Sequence, residues 1–135
     1  MKPKKFNLNK ISKQLKKAWI PKDIANIDNY TLKIAKFKGE YHWHKHDKED
    51  ELFIVLKGKI KIRTKKQDII LKQNEGIKIP RGIYHCPVSI KPSIVLMFES
   101  LKLKSNGNTT DVTDTFRRLK RKVSGQKFKD MARKG

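Results

Sequence analysis

The pattern of apolar and polar positions divides the chain into a helical start, a strand-rich middle and a polar, basic end. From Asn7 onward Leu8, Ile11, Leu15 and Ala18 or Trp19 recur at spacings of three and four with lysines between them, which predicts an amphipathic helix over 8–19. Asn7 or Asn9 suits the cap, and Pro21 stops the helix by disfavouring helical geometry in the residue before it. The spacing then switches to two. Tyr30, Leu32 and Ile34 alternate with polar or small residues, and Gly39 interrupts them. Residues 41–46 read as extended, and 51–56 (ELFIVL) is a nearly continuous apolar run of the kind found in strands buried on both faces. Shorter alternating runs follow at 59–63, 68–71 and 77–79, then HCPV from His85 and a last strong strand at 94–98. Turn residues separate them (Lys57-Gly58, Lys65 to Gln67, Asn74 to Gly76, Arg81 to Tyr84). About eight short strands with turns every eight to twelve residues predict an antiparallel sandwich or small barrel.

After Leu101 the chain becomes polar and turn-rich. Thr113 or Asp114 is placed to cap a helix, TFRRLKRKV, with Phe116, Leu119 and Val123 on one face and Ser124-Gly125 as its stop. The organisation read from the pattern is an N-terminal helical extension (1–29), a β-barrel domain (30–104) and a basic C-terminal helix and tail (105–135).

Charge adds a second theme. The chain of 135 residues carries a formal net charge of +21, spread along its length and densest at the two ends. Such an excess favours polyanions through counterion release and steering, and RNA, including the ribosome, is the obvious partner. Arg117, Arg118, Lys120, Arg121 and Lys122 cluster in the C-terminal helix with Phe116 and Phe128 interleaved, a pattern that suits stacking on bases or simple docking of the helix. The alternative reading is a surface of solubilising lysines. Cys86 is the one cysteine, so no disulfide forms within the chain, and no apolar run approaches the roughly 18 residues of a membrane span. The basic start lacks the apolar core of a signal peptide, and the expected location is the cytoplasm.

The candidate chemistry lies in two stretches, 39–58 and 75–87, which together hold all four histidines. His44 and His46 stand two apart, so on an extended chain both imidazoles face the same side. Glu51 returns after a charged turn, and His85 arrives from the second stretch. Three imidazoles and a carboxylate suit a divalent transition metal: iron, manganese, nickel, copper or zinc. His42 shares the alternation and is read either as a ligand or, in preference, as a group facing the pocket behind the ion, with Tyr84 and Tyr41 as pocket candidates for which core packing is the competing role. Cys86 and Trp43 alternate away from the ligands and are expected to pack.

These two stretches resemble the paired motifs of the cupin superfamily. The first reads Gly39, four residues, His44-x-His46, four residues, Glu51, six residues, Gly58. The second reads Gly76, three residues, Pro80-x-Gly82, two residues, His85, three residues, Ser89, with serine where the family carries asparagine. The resemblance implies an all-β double-stranded β-helix, or jelly roll, with a metal at its centre held by His44, His46, Glu51 and His85. It also implies homodimerisation, for which the predicted helix at 8–19 offers an apolar face. Dioxygenases, isomerases, epimerases, decarboxylases, storage proteins and sensor domains share this fold, so the resemblance leaves the reaction open, and with it whether the chain is an enzyme.

Overall fold

A computed structural model of the chain describes residues 1–103. The C-terminal helix expected after Asp114, with its five clustered arginines and lysines, lies outside the described residues. One short helix, α1 (Leu8–Gln14), precedes seven strands: β1 (Lys22–Ile27), β2 (Tyr30–Glu40), β3 (Glu51–Lys57), β4 (Lys59–Thr64), β5 (Asp68–Lys72), β6 (Gly76–Ile79) and β7 (His85–Ser100). All pairings are antiparallel. The order is β1-β2-β7-β3-β6, with β4 joining β7 to β5.

The long strand β7 organises the barrel. Its first residues, His85–Val88, pair with β4, and Ser93–Ser100 run between β2 and β3. Between Ser89 and Ser93 its ladder to β2 is interrupted opposite Phe37 and Gly39. The sequence pattern reads this strand as two, HCPV from His85 and 94–98, and Pro92 falls between them. The proline is accommodated because it falls in the interruption, where no ladder donor is required. Gly39 takes φ +82° on the β2 side of the same irregularity, which bends the strand toward the site. Ser89, in the motif position that elsewhere holds asparagine, knots the gap: its Oγ lies 2.7 Å from Ser93 Oγ and donates to the Lys91 carbonyl at 2.5 Å.

Alternation puts Ala35, Phe37, Phe53, Val55, Val95 and Met97 inside, where they form one core with Ile60, Ile62, Leu71 and Ile79. Phe37 and Phe53 meet edge to face at 6.0 Å. The other face of the central strands is apolar as well. Leu32, Phe98 and Leu52 stand in one cross-strand row, and Ile34, Leu96 and Ile54 in the next. This two-sided character explains the continuous apolar run at 51–56.

Two departures from the sequence pattern lie at the N-terminus. The helix is capped as expected by Asn7, whose Oδ1 accepts from Lys10 N at 2.9 Å, but it ends at Gln14 rather than near Pro21. Trp19 is drawn onto the barrel instead, and this tertiary contact overrides the helical spacing. The second departure is β1. Its sequence, KDIANI, shows no clean alternation, because an edge strand with two solvated faces is held by main-chain pairing to β2 rather than by burial. The sheet therefore starts at Lys22, inside the stretch expected to be a helical extension.

Gly58 supplies the tight β3–β4 connection at φ +92°. A Cβ there would sit 2.5 Å from Ser93 Oγ and 3.1 Å from its Cα. Gly58→Ala is expected to lower stability by about 1–3 kcal/mol, from the left-handed backbone and the displaced serine knot together. Chemical denaturation with an unchanged m-value checks it.

Candidate metal centre

His44 and His85 are brought together by backbone. They form a reciprocal bridge, with His44 N donating to His85 O at 3.0 Å and His85 N donating to His44 O at 2.9 Å. Their rings lie 4.4 Å apart. His46 follows two residues on, its carbonyl accepting from Gly82 N at 2.8 Å, which ties the first motif to the Pro80–Gly82 turn of the second. Glu51 opens β3 in the register opposite Ile79 on one side and Glu99 on the other. The alternation expected over 41–46 holds: His42, His44 and His46 are buried, and Tyr41, Trp43 and Lys45 are half-buried.

The structure brings all four expected ligands together. One donor atom from each of His44, His46, Glu51 and His85 lies within 4.8 Å of the others, and all four residues are buried. The His44 Nδ1 is 3.0 Å from the His42 carbonyl, and the His85 Nδ1 is 2.8 Å from the Ile83 carbonyl. A carbonyl only accepts, so each Nδ1 carries a proton and each Nε2 is left to face the cluster. The Glu51 Oε1 lies 3.4 Å from His46 Nε2 and 3.7 Å from His85 Nε2. All three of these atoms are buried without a hydrogen-bond partner. His46 Nδ1 also lacks a partner, so its tautomer is open. Polar atoms facing one another in a dry site are costly unless a proton or a metal ion stands between them. The donor set therefore fits a metal ion.

The electrostatics agree. Burial, then the neighbouring His85 and His42, push the His44 pKa well below the ordinary 6.5, so the ring is neutral and able to ligate. Burial raises the Glu51 carboxyl, but contacts with His46 and His85 outweigh it and hold the group below the usual carboxylate range.

His42 sits behind His44, its ring 4.9 Å away, and contributes the carbonyl that fixes the His44 tautomer. It stands outside the four-donor cluster. Tyr84 is placed elsewhere. As the neighbour of His85 on an alternating chain it points away, lining a separate cleft of about 440 Å³ with Thr64 and Lys65, under the Lys65 ammonium at 5.4 Å. Tyr41 lines the cavity beside the ligands in its stead. Trp43 is half-buried beneath Arg63 and Lys65, at 5.3 and 4.7 Å, and Cys86 is buried with its Sγ 3.6 Å from Glu40 Oε2.

Glu99 is a pocket residue that the motif reading passes over. It is buried, lines the same cavity, and pairs with Lys33 at 3.3 Å. The signal was present: Val95, Met97 and Glu99 share one face, so an acid at the third of these positions had to face inward. Burial, then the nearby Glu51, raise its pKa to about 7, against the pull of Lys33. A raised carboxyl pKa stabilises the fold at low pH and loses that contribution as pH rises through the folded value. Glu99→Gln removes this loss. In metal-free protein the melting temperature of Glu99→Gln relative to wild type is expected to climb by a few degrees as pH is raised from about 5 to about 8, a shift that paired thermal melts detect.

The cupin domain family profile matches residues 32–99, which spans both motifs and all four clustered residues. The chain belongs to the cupin family. A Bacillus subtilis relative, the uncharacterised protein YdbB, is 39% identical over 80 residues, covering 58% of this chain and 71% of its own length. Among solved structures, a cupin-2 domain containing protein from Shewanella frigidimarina is 33% identical, with a TM-score of 0.69 over 70% of this chain and 93% of that one. A Neisseria meningitidis protein superposes with a TM-score of 0.67 at 21% identity, over 72% of this chain and 99% of that one, and this likeness speaks for the fold alone. Among the described residues no helix is long and apolar enough to cross a membrane.

Proposed function

We propose that this cupin holds a divalent transition metal through His44, His46, Glu51 and His85, and that the loaded barrel binds or transforms a small polar molecule. The observation that carries the reading is the meeting of His46 Nε2, His85 Nε2 and Glu51 Oε1, all buried and with no hydrogen-bond partner. Three nitrogens and one oxygen suit iron, manganese, nickel, copper or zinc. When bound, such an ion supplies a Lewis acid at the cavity edge. The chain's own residues supply the rest. The Ile83 and His42 carbonyls orient two imidazoles. Burial, then Glu51 and Glu99, raise the Tyr41 pKa, so its phenol stays protonated and can donate a hydrogen bond. In the metal-free protein Glu99 holds its proton up to about neutral pH, and its carboxyl lines the cavity, where it can take or give one. Calorimetric titration of metal-stripped protein tests the proposal: one ion per chain supports it, and no saturable heat with any of the five metals contradicts it.

The charge supports a second, compatible reading, association with RNA or the ribosome through the basic C-terminal residues. Co-sedimentation with ribosomes is expected to be lost on deleting residues 115–135 and to weaken steeply with salt. Salt-independent binding contradicts it. A cytoplasmic location accords with both readings. For the homodimer, the apolar outer rows on β2, β7 and β3 support an interface better than α1, which buries no residue. A monomer in sedimentation equilibrium at micromolar concentration, unchanged by Leu52→Glu, rules it out.

A further inference from the structure

The cavity beside the ligands is bounded on one side by a segment that belongs to none of the strands. Between α1 and β1 the chain crosses the barrel, and Trp19 and Pro21 line the cavity together with His44, Glu51, Glu99 and Tyr41. Trp19 is fixed there at four points. Its backbone N donates to the Lys36 carbonyl at 2.8 Å, and its Nε1 donates to the Lys38 carbonyl at 2.8 Å. Its ring packs on Phe37 at 4.4 Å and stacks on Tyr41 at 4.8 Å. To reach this place its backbone takes φ +67°, a left-handed conformation that a bulky residue adopts at a cost of about 1–3 kcal/mol. The indole thus both packs on the barrel core and forms a wall of the cavity.

The space left is small. The cavity measures about 40 Å³, room for no more than a few waters. Pockets for drug-sized ligands run to about 300–1,000 Å³. We propose that Trp19 is the specificity-determining wall of this site. It limits the molecule admitted beside His44 and Glu51 to a few non-hydrogen atoms, of the class of small oxygen-bearing compounds that Tyr41 and Glu99 hydrogen-bond. The proposal rests on the cluster being a metal site, and its test separates the two.

Cobalt(II), bound to the stripped protein, reports on its ligands through its visible spectrum. Azide and 4-phenylimidazole are the probes, one small and one too long for the space. Wild type is expected to respond to azide and to exclude 4-phenylimidazole. Trp19→Gly removes the wall and suits the left-handed backbone, so its affinity for 4-phenylimidazole relative to azide is expected to rise at least about tenfold over wild type. Trp19→Phe keeps a ring on Phe37 and Tyr41 and is expected to exclude the long probe as wild type does. An equal affinity ratio of the two probes in wild type and Trp19→Gly overturns the proposal. If cobalt fails to bind wild type, the metal reading fails, and the wall is judged on metal-free protein by diethyl pyrocarbonate modification of His44 well below each variant's melting temperature. Faster modification in Trp19→Gly but not in Trp19→Phe sustains the wall, and equal rates in all three proteins overturn it.

Discussion

Glu51→Gln is expected to weaken metal binding by more than about 100-fold, because even outer groups that merely orient a ligand cost 10–100-fold when removed. The substitution keeps the shape of the side chain and exchanges the one anionic donor of the set for an amide. It also changes the metal-free protein. Wild type places Glu51 Oε1 3.4 Å from one imidazole nitrogen and 3.7 Å from another. The carboxylate keeps its charge against burial only through His46 and His85, and the amide gives up that attraction. Without metal, Glu51→Gln is therefore expected to melt below wild type. With metal the gap widens, since an ion that binds only the folded state adds stability in proportion to the logarithm of its occupancy. Thermal melts of both proteins, stripped and loaded, reveal the widening. A gap of the same size in both states points to a purely structural carboxylate.

Phe53→Ala has the largest expected effect on the fold itself. Phe53 is 2% exposed, meets Phe37 edge to face, and lies 6.5 Å from the His85 ring. Truncating a buried phenylalanine costs about 3–5 kcal/mol, a large part of the 5–15 kcal/mol that holds a small domain together. Phe53 also lines the cavity beside the ligands, so the variant is expected to lose metal affinity along with stability. Urea titration of the stripped protein measures the first effect. A loss below about 1 kcal/mol would mean that the barrel interior collapses around the gap.

Much of this molecule is legible in its sequence, for reasons that differ by element. The strands of the middle show because one or both faces are buried, and burial writes a period of two into the chain. The histidine and glutamate cluster shows because the proposed metal site needs few residue types at tight spacings: His44 and His46 on one face of an extended segment, Glu51 at the start of the next strand. β1 leaves no such trace, since main-chain bonds to β2 hold it. Trp19 misleads for the opposite reason: its spacing continues a helical stripe, while its indole is committed to the Lys38 carbonyl and to Tyr41. The placing of Tyr41 and Glu99 around the cavity depends on register. Glu99 faces Glu51 only because β7 pairs with β3 as it does.

Elemental analysis of protein purified without an affinity tag, beside a His44→Ala/His85→Ala double variant, tests the central claim most directly. The account predicts close to one transition-metal ion per chain in wild type and background levels in the variant. Equal metal content in the two proteins, or none in either after growth with the five metals supplied, would contradict it.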